Sequence, residues 1–180
     1  FNALTGSHQY VGNWPGVTVE KKEGSLKTKH QEKINIIDLP GIYSLSPYSA
    51  EEIVTRDYLL NQRPDVIVNI VDATNIERNL YLTSLLIETR IPVIVALNMM
   101  DILDKNKQSI DAEALSEQLH CPVIAISALK EKNIAALIEC CLSFKGTEAI
   151  SEIPQFFSHD LENVILKIES VLEKIVPEVN

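Results

Sequence analysis

Two aspartates, a threonine and a serine stand where this chain could assemble a metal and purine site. Asp38 opens Asp38-Leu39-Pro40-Gly41, Asp101 closes Asn98-Met99-Met100-Asp101, and Ser127-Ala128 comes later, each just after an apolar, strand-like run. An Asp at the carboxyl end of a strand sits where open α/β sheets bind ligands. There it can hold a water of a magnesium shell. The Gly41 N–H can approach a terminal phosphate closely because no Cβ intervenes. Taken alone, Asp-x-Pro-Gly is equally ordinary as a strand-end turn.

Asp101 offers different chemistry. Its carboxylate can accept from the N1–H and the 2-amino group of guanine. Adenine has neither donor on that edge and would leave the carboxylate desolvated and unpaired, at a cost of about 1–3 kcal/mol or more. Asn98 can tie the base-binding loops together, and the Ala128 N–H can reach the guanine O6. Each of these is also an unremarkable loop after a strand. Their order at three successive strand ends is what points to a guanine-nucleotide site. Thr18, in Gly16-Val17-Thr18-Val19-Glu20, follows a loop rich in Gly, Asn and Pro. Its hydroxyl can join the magnesium shell when a γ-phosphate is present and leave when it is gone. A Thr that merely starts a strand accounts for it equally well.

These residues need a scaffold, and the hydrophobic pattern supplies one. Val17 to Lys29 alternates as an extended segment, and Lys33-Ile34-Asn35-Ile36-Ile37-Asp38 is a second strand. With a turn at Gly24-Ser25 the two would make an antiparallel hairpin. A helix from Glu51 to Asn61, a buried strand Asp65 to Asp72 and a helix Asn75 to Thr89 follow. Then come strand Ile91 to Asn98, helix Asp111 to Leu119, strand Pro122 to Ser127 and helix Asn133 to Phe144. Continuous apolar strands alternating with amphipathic helices predict an α/β fold, mostly parallel, with helices on both faces. Lys145 to Pro154 reads as a linker, and Leu161, Val164, Ile165, Ile168, Val171, Leu172 and Ile175 then form an apolar helical stripe from Ser158 onward. A single amphipathic helix cannot bury its own face, so it must dock on the α/β part or belong to a helical subdomain.

Bulk properties narrow the class. The 180 residues, 46% hydrophobic and 23% charged, suffice for one α/β domain and a small appendage. A net charge of −9 argues against a nucleic-acid partner. A nucleotide is not excluded, because phosphate sites depend on local N–H groups and metal. Apolar runs such as Ile91 to Leu97 are too short to span a bilayer, and the first residues lack the pattern of a signal peptide. Cys121, Cys140 and Cys141 make no ligand spacing with the four histidines, so core packing in a reducing compartment is the expectation, ahead of metal binding or a disulfide.

Four longer strings carry a resemblance: Val11-Gly12-Asn13-Trp14-Pro15-Gly16-Val17-Thr18-Val19-Glu20, Asp38 to Leu45, Val71 to Leu82, and Ala96 to Asp101. In them the chain resembles the cytoplasmic G domain of the prokaryotic ferrous iron transport protein B (FeoB) family. Met99 is part of the likeness, since most GTPases carry Lys there and this family does not. The resemblance covers Phe1 to about Phe144. It implies a P-loop NTPase-like G domain at residues 1–146, then a linker and the start of a helical subdomain that modulates nucleotide release at 147–180. It further implies a slow GTPase without a Ras-like catalytic glutamine, acting on the cytoplasmic face of the bacterial inner membrane.

By that likeness Gly12 to Thr18 would be switch I and Asp38 to Ser46 switch II. GTP or GDP would be held by Gly16, Val17, Thr18, Val19, Glu20, Asp38, Leu39, Pro40, Gly41, Asn98, Met99, Asp101, Ser127 and Ala128. Mg2+ would sit on Thr18 and Asp38, and Thr18 and Gly41 would serve catalysis. Implied partners are the membrane-spanning iron-permease portion of the same polypeptide, small accessory Feo proteins and a second copy of the chain. Family members begin with a strand and a Gly-x-x-x-x-Gly-Lys-[Ser/Thr] loop for the β-phosphate. The present sequence opens at Phe1-Asn2-Ala3-Leu4-Thr5-Gly6, where the following helix would already be under way. Trimming is the expectation. A true deletion would leave an inner strand slot empty and GTP poorly bound. The family's K+ traces to that loop, so no residue here is assigned to it. The other reading is a degenerate, non-catalytic G domain that works as an interaction module.

Overall fold

The computed structural model describes residues 1–6, 9–27, 33–144, 154 and 156–175. Helix α1 (Asn2–Thr5) leads into strands β1 (Gln9–Asn13), β2 (Glu20–Lys27) and β3 (Lys33–Asp38). After α2 (Ala50–Gln62), strands β4 (Ile67–Asp72), β5 (Val93–Asn98) and β6 (Val123–Ala125) alternate with helices. These are α3 (Ile76–Glu88), α4 (Met100–Lys105) and α5 (Ala112–Leu119), with α6 (Ile134–Ser143) and α7 (His159–Ile175) closing the order.

The strands form two three-stranded sheets of different character. β1, β2 and β3 pair antiparallel in that order, whereas β4, β5 and β6 pair parallel. The expected parallel sheet is thus the 67–125 half, and the expected hairpin is one edge of an antiparallel meander. Two local expectations are corrected. Gly24 and Ser25 do not turn: they lie inside β2, opposite Ile36 and Asn35, because the ladder from Lys22–Asp38 to Lys27–Lys33 runs straight through them. The connection is residues 28–32, outside the described residues. Gly12 and Asn13, expected within the loop before Thr18, belong instead to β1, which pairs with β2 from Gln9–Gly24 to Asn13–Glu20.

The parallel half holds the core, and period-two alternation explains its two faces. Along β5, Val93, Val95 and Leu97 enter one cluster with Ile67 and Val71 of β4, Leu86 and Ile87 of α3, Leu103 of α4 and Leu119 of α5. Ile94 and Ala96 point the other way, to Ile126 and to Ile134 and Leu137 of α6, with Ala3 and Leu4 packed alongside. From Val93 to Leu97 every residue is buried, as a central parallel strand covered on both sides must be. Cys121 is buried in the first cluster and Cys141 packs on the second, and burial pushes both thiols up to about 11.

Helix starts follow local chemistry. Ser49 accepts from the Glu52 N–H while the Glu52 carboxylate accepts from the Ser49 N–H, a reciprocal cap that fixes where α2 begins. Asp111 accepts from the N–H groups of Glu113 and Ala114 and starts α5. Helix α7 begins at His159, one residue past the expected start, but most of its apolar stripe stays in solvent: Leu161, Val164, Ile168, Val171, Leu172 and Ile175 are exposed and Ile165 is half-buried. Of the expected linker only Pro154 falls within the described residues, and it is buried. Among the described residues, no helix is long and apolar enough to cross a membrane.

Candidate functional site

The residues singled out by their chemistry fall into two groups at strand ends. The first lies where the parallel strands stop. Asp72 and Asn98 are paired at the ends of β4 and β5, and Leu97 is opposite Ala125 of β6, so Ser127 and Ala128 emerge beside Asn98. A backbone bond from the Ile126 N–H to the Leu97 carbonyl, 2.8 Å, carries the pairing one residue past β6. Met99 turns the chain with φ 66°, and α4 starts immediately after it, which places Asp101 in the first helical turn over the strand ends.

Four of the expected base-reading residues are knitted together there. The Ser127 hydroxyl donates to Asp101 Oδ1 at 2.9 Å, and the Ala128 N–H donates to Asn98 Oδ1 at 3.0 Å. Ser127 is 1% exposed, so its hydroxyl is a fixed donor rather than a solvated one. That hydrogen bond is the main reason the Asp101 carboxyl lies below its ordinary 3.8; partial burial opposes it and the Lys130 ammonium adds to it. Asp101 is therefore an anion at neutral pH with a defined orientation. The sequence assigned the Ala128 N–H to a guanine O6; here it is engaged by Asn98, so a base would have to share or take that donor.

Lys130 was not foreseen. Its Nζ lies 3.5 Å from Asp101 Oδ2, and its backbone N–H donates to the Ser127 hydroxyl at 3.3 Å. Its only sequence signal is a cation three residues beyond Ser127. The loop that delivers it is closed by the mutual backbone bonds of Ser127 and Lys132, 3.3 and 3.0 Å, and by left-handed Glu131 and Asn133. The Asn133 amide also donates to the Ala125 carbonyl at 2.8 Å, tying the loop's far end back to β6.

The second group lies at one end of the antiparallel sheet. Lys22 of β2 is opposite Asp38, so the segment before Glu20 and the segment after Asp38 leave the same end. Gly16, Val17 and Thr18 line an open cavity of about 620 Å³ with Asn13, Trp14 and Ala50. Gly16 has φ 78°, a left-handed conformation that favours glycine, and a Cβ on Gly41 would meet nothing within 4 Å. Val19 and Glu20 do structural work: the Val19 carbonyl accepts from the Trp14 N–H at 2.9 Å, and Glu20 pairs with Lys22 at 3.1 Å. The Leu39 side chain packs against the core cluster of the parallel half.

One core joins the two groups. Leu39 and Leu45 pack on the cluster that contains Val71, Leu97 and Leu103, beneath the strand ends that carry Asn98 and Asp101. No hydrogen bond or ion pair runs directly between the two groups among the described residues, nor from Asp38 to Thr18. Beyond Gly41, Tyr43 stacks under the Arg78 guanidinium at 4.2 Å and so fastens that segment to α3.

The family described as Ferrous iron transport protein B matches residues 1–141. The Fe(2+) transporter FeoB of Escherichia coli K12 is 41% identical over 98% of this chain, and that of Salmonella typhimurium LT2 is 48% identical over 76% of it. The chain spans only 23% and 18% of these two proteins. A crystal structure of an S. thermophilus NFeoB mutant bound to mGDP superposes with a TM-score of 0.90 at 50% identity, covering 99% of this chain and 68% of that one. The cytosolic domain of T. maritima FeoB in its GMPPNP form gives 0.87 at 39% identity, covering 96% of this chain and 68% of that one.

Proposed function

The chain belongs to the ferrous iron transport protein B family, and on that premise we propose that it is a guanine-nucleotide switch with slow GTP hydrolysis, regulating ferrous iron transport by a longer membrane protein. The observation that carries this reading is the Asp101–Ser127 and Asn98–Ala128 pairing, two oriented contacts at adjacent strand ends. A purine with two adjacent N–H donors suits an oriented carboxylate, and a relative has been solved with GMPPNP, another with mGDP. Thr18 and Asp38 would hold Mg2+: a hydroxyl and a carboxylate, both hard oxygen donors, suit an ion that keeps several of its waters. Bound there, the ion would neutralise charge between the terminal phosphates. Residues 147–180 would begin the helical subdomain that modulates release, and the exposed stripe of α7 is the face such a subdomain would cover. The cytoplasmic face of the inner membrane is the proposed location, with the permease portion, accessory Feo proteins and further copies of the chain as partners.

Titration of the full natural-length protein with fluorescent GDP and Mg2+ tests this reading, together with its GTP turnover. Guanine-selective binding and measurable phosphate release are expected. Absence of binding would favour a degenerate interaction module instead. The attacking water is assigned to backbone groups of the segment 12–18, because Ile42 and Tyr43 offer no side-chain amide after Gly41. Tyr43 is moreover occupied by Arg78. Single-turnover hydrolysis by Ile42→Ala and Tyr43→Ala should stay within about threefold of the parent, a change under about 1 kcal/mol in the barrier. A larger loss from either would place a side chain in the chemistry.

A further inference from the structure

Three polar atoms of the proposed base pocket already have a neighbour. Asp101 Oδ1 accepts from Ser127, Asp101 Oδ2 lies 3.5 Å from Lys130 Nζ, and the Ala128 N–H is taken by Asn98. The Lys130 contact differs in kind from the other two. Ser127 leaves Oδ1 a further lone pair and Asn98 is a neutral acceptor on the Ala128 N–H, whereas the ammonium beside Oδ2 is a charged donor that rivals guanine's own N–H groups. It lies against the oxygen that guanine would use for the second of its two N–H bonds, so the two donors compete for the charge on that oxygen.

We propose that Lys130 is a built-in competitor for guanine: it holds Asp101 Oδ2 when no base is bound, and the base must displace it to bind. This inference rests on the reading of Asp101 as the guanine anchor. The loop geometry favours it. The Lys130 N–H is anchored on the same Ser127 hydroxyl that holds Asp101, so the ammonium is delivered to the carboxylate by a backbone fixed at both ends. The Lys130 side chain is 54% exposed against 12% for Asp101, so the cation can swing into water once displaced while the carboxylate stays. Lys130 acts through Asp101 and touches no reacting atom. The competition keeps nucleotide affinity below what the pocket could reach, which suits a switch that must release GDP.

Lys130→Met keeps most of the stem and removes the charge, and Lys130→Arg keeps the charge. An exposed ion pair is weak, so Lys130→Met in the full-length protein should bind fluorescent GDP about two- to fivefold tighter than the parent at low salt. Lys130→Arg, whose planar fork can pair with both carboxylate oxygens, should bind no tighter than the parent. The difference between Lys130→Met and the parent should close at about 0.5 M salt, where the pair is screened. Equal or weaker GDP binding by Lys130→Met at low salt, with the parent binding GDP normally, would overturn the competitor role alone. A parent that binds ADP as well as GDP would remove the guanine reading and the inference with it.

Discussion

Asp101→Asn is expected to transfer base preference from guanine to xanthine, with guanine nucleotide affinity falling roughly 100-fold. The carboxylate accepts at both oxygens, and guanine presents two donors to it. An amide at this position places an NH2 donor against one of them, so a favourable charge-assisted bond becomes a donor facing a donor. Xanthine carries a carbonyl where guanine has its 2-amino group, and that carbonyl would accept from the new NH2. The surroundings make the substitution a clean one. Ser127 can donate to the amide oxygen as it does to Oδ1, and a hydroxyl can also accept if the amide is turned. The lost partner is Lys130, which in the parent competes for the same oxygen. Competition of GTP, XTP and ATP for one fluorescent probe reads the result directly, and unchanged selectivity would remove Asp101 from the base site.

What could be read from the sequence divides along the same line as the two sheets. β5 announced itself because Val93 to Leu97 is an unbroken apolar run, and only a strand covered on both faces needs one. Asn98, Asp101, Ser127 and Ala128 were legible because strand ends fix where loops converge, whatever the loops contain. The antiparallel half was harder. β1, Gln9–Asn13, carries Gly12 and Asn13, both ordinary loop residues, and its pairing with β2 depends on partners distant in sequence. Gly24 looked like punctuation, yet it sits in the middle of a ladder, because a turn signal is local and strand register is not. α4, six residues directly behind a motif, is too short to show a helical period. Lys130 escaped notice for a different reason: its role depends on the distance to one carboxylate oxygen, which spacing does not encode.

Thr18→Ala should separate hydrolysis from binding at the other end of the site. Thr18 is exposed at the tip of a loop whose base is fixed: the Trp14 N–H bonds to the Val19 carbonyl and the Val17 N–H to the Trp14 carbonyl, 2.9 and 3.3 Å. The Thr18 hydroxyl has no hydrogen-bond partner among the described residues. A group that is solvated without the γ-phosphate and ligates Mg2+ with it contributes only to the GTP state. GDP affinity should therefore change less than about twofold, while GTP hydrolysis falls on the order of tenfold or more. The fold supplies its own reporter, because Trp14 is the one tryptophan in the chain. It is 8% exposed, edge-on to Tyr58 at 5.3 Å with the Lys21 ammonium 4.7 Å above its ring, and its indole N–H is buried without a partner among the described residues. Recruiting Thr18 to a metal would pull on the loop four residues from that ring and shift its emission. The parent should show different Trp14 emission with a non-hydrolysable GTP analogue and Mg2+ than with GDP and Mg2+, and Thr18→Ala should erase most of that difference. A Thr18→Ala protein that hydrolyses GTP at the parental rate and keeps the emission change would remove this threonine from the switch.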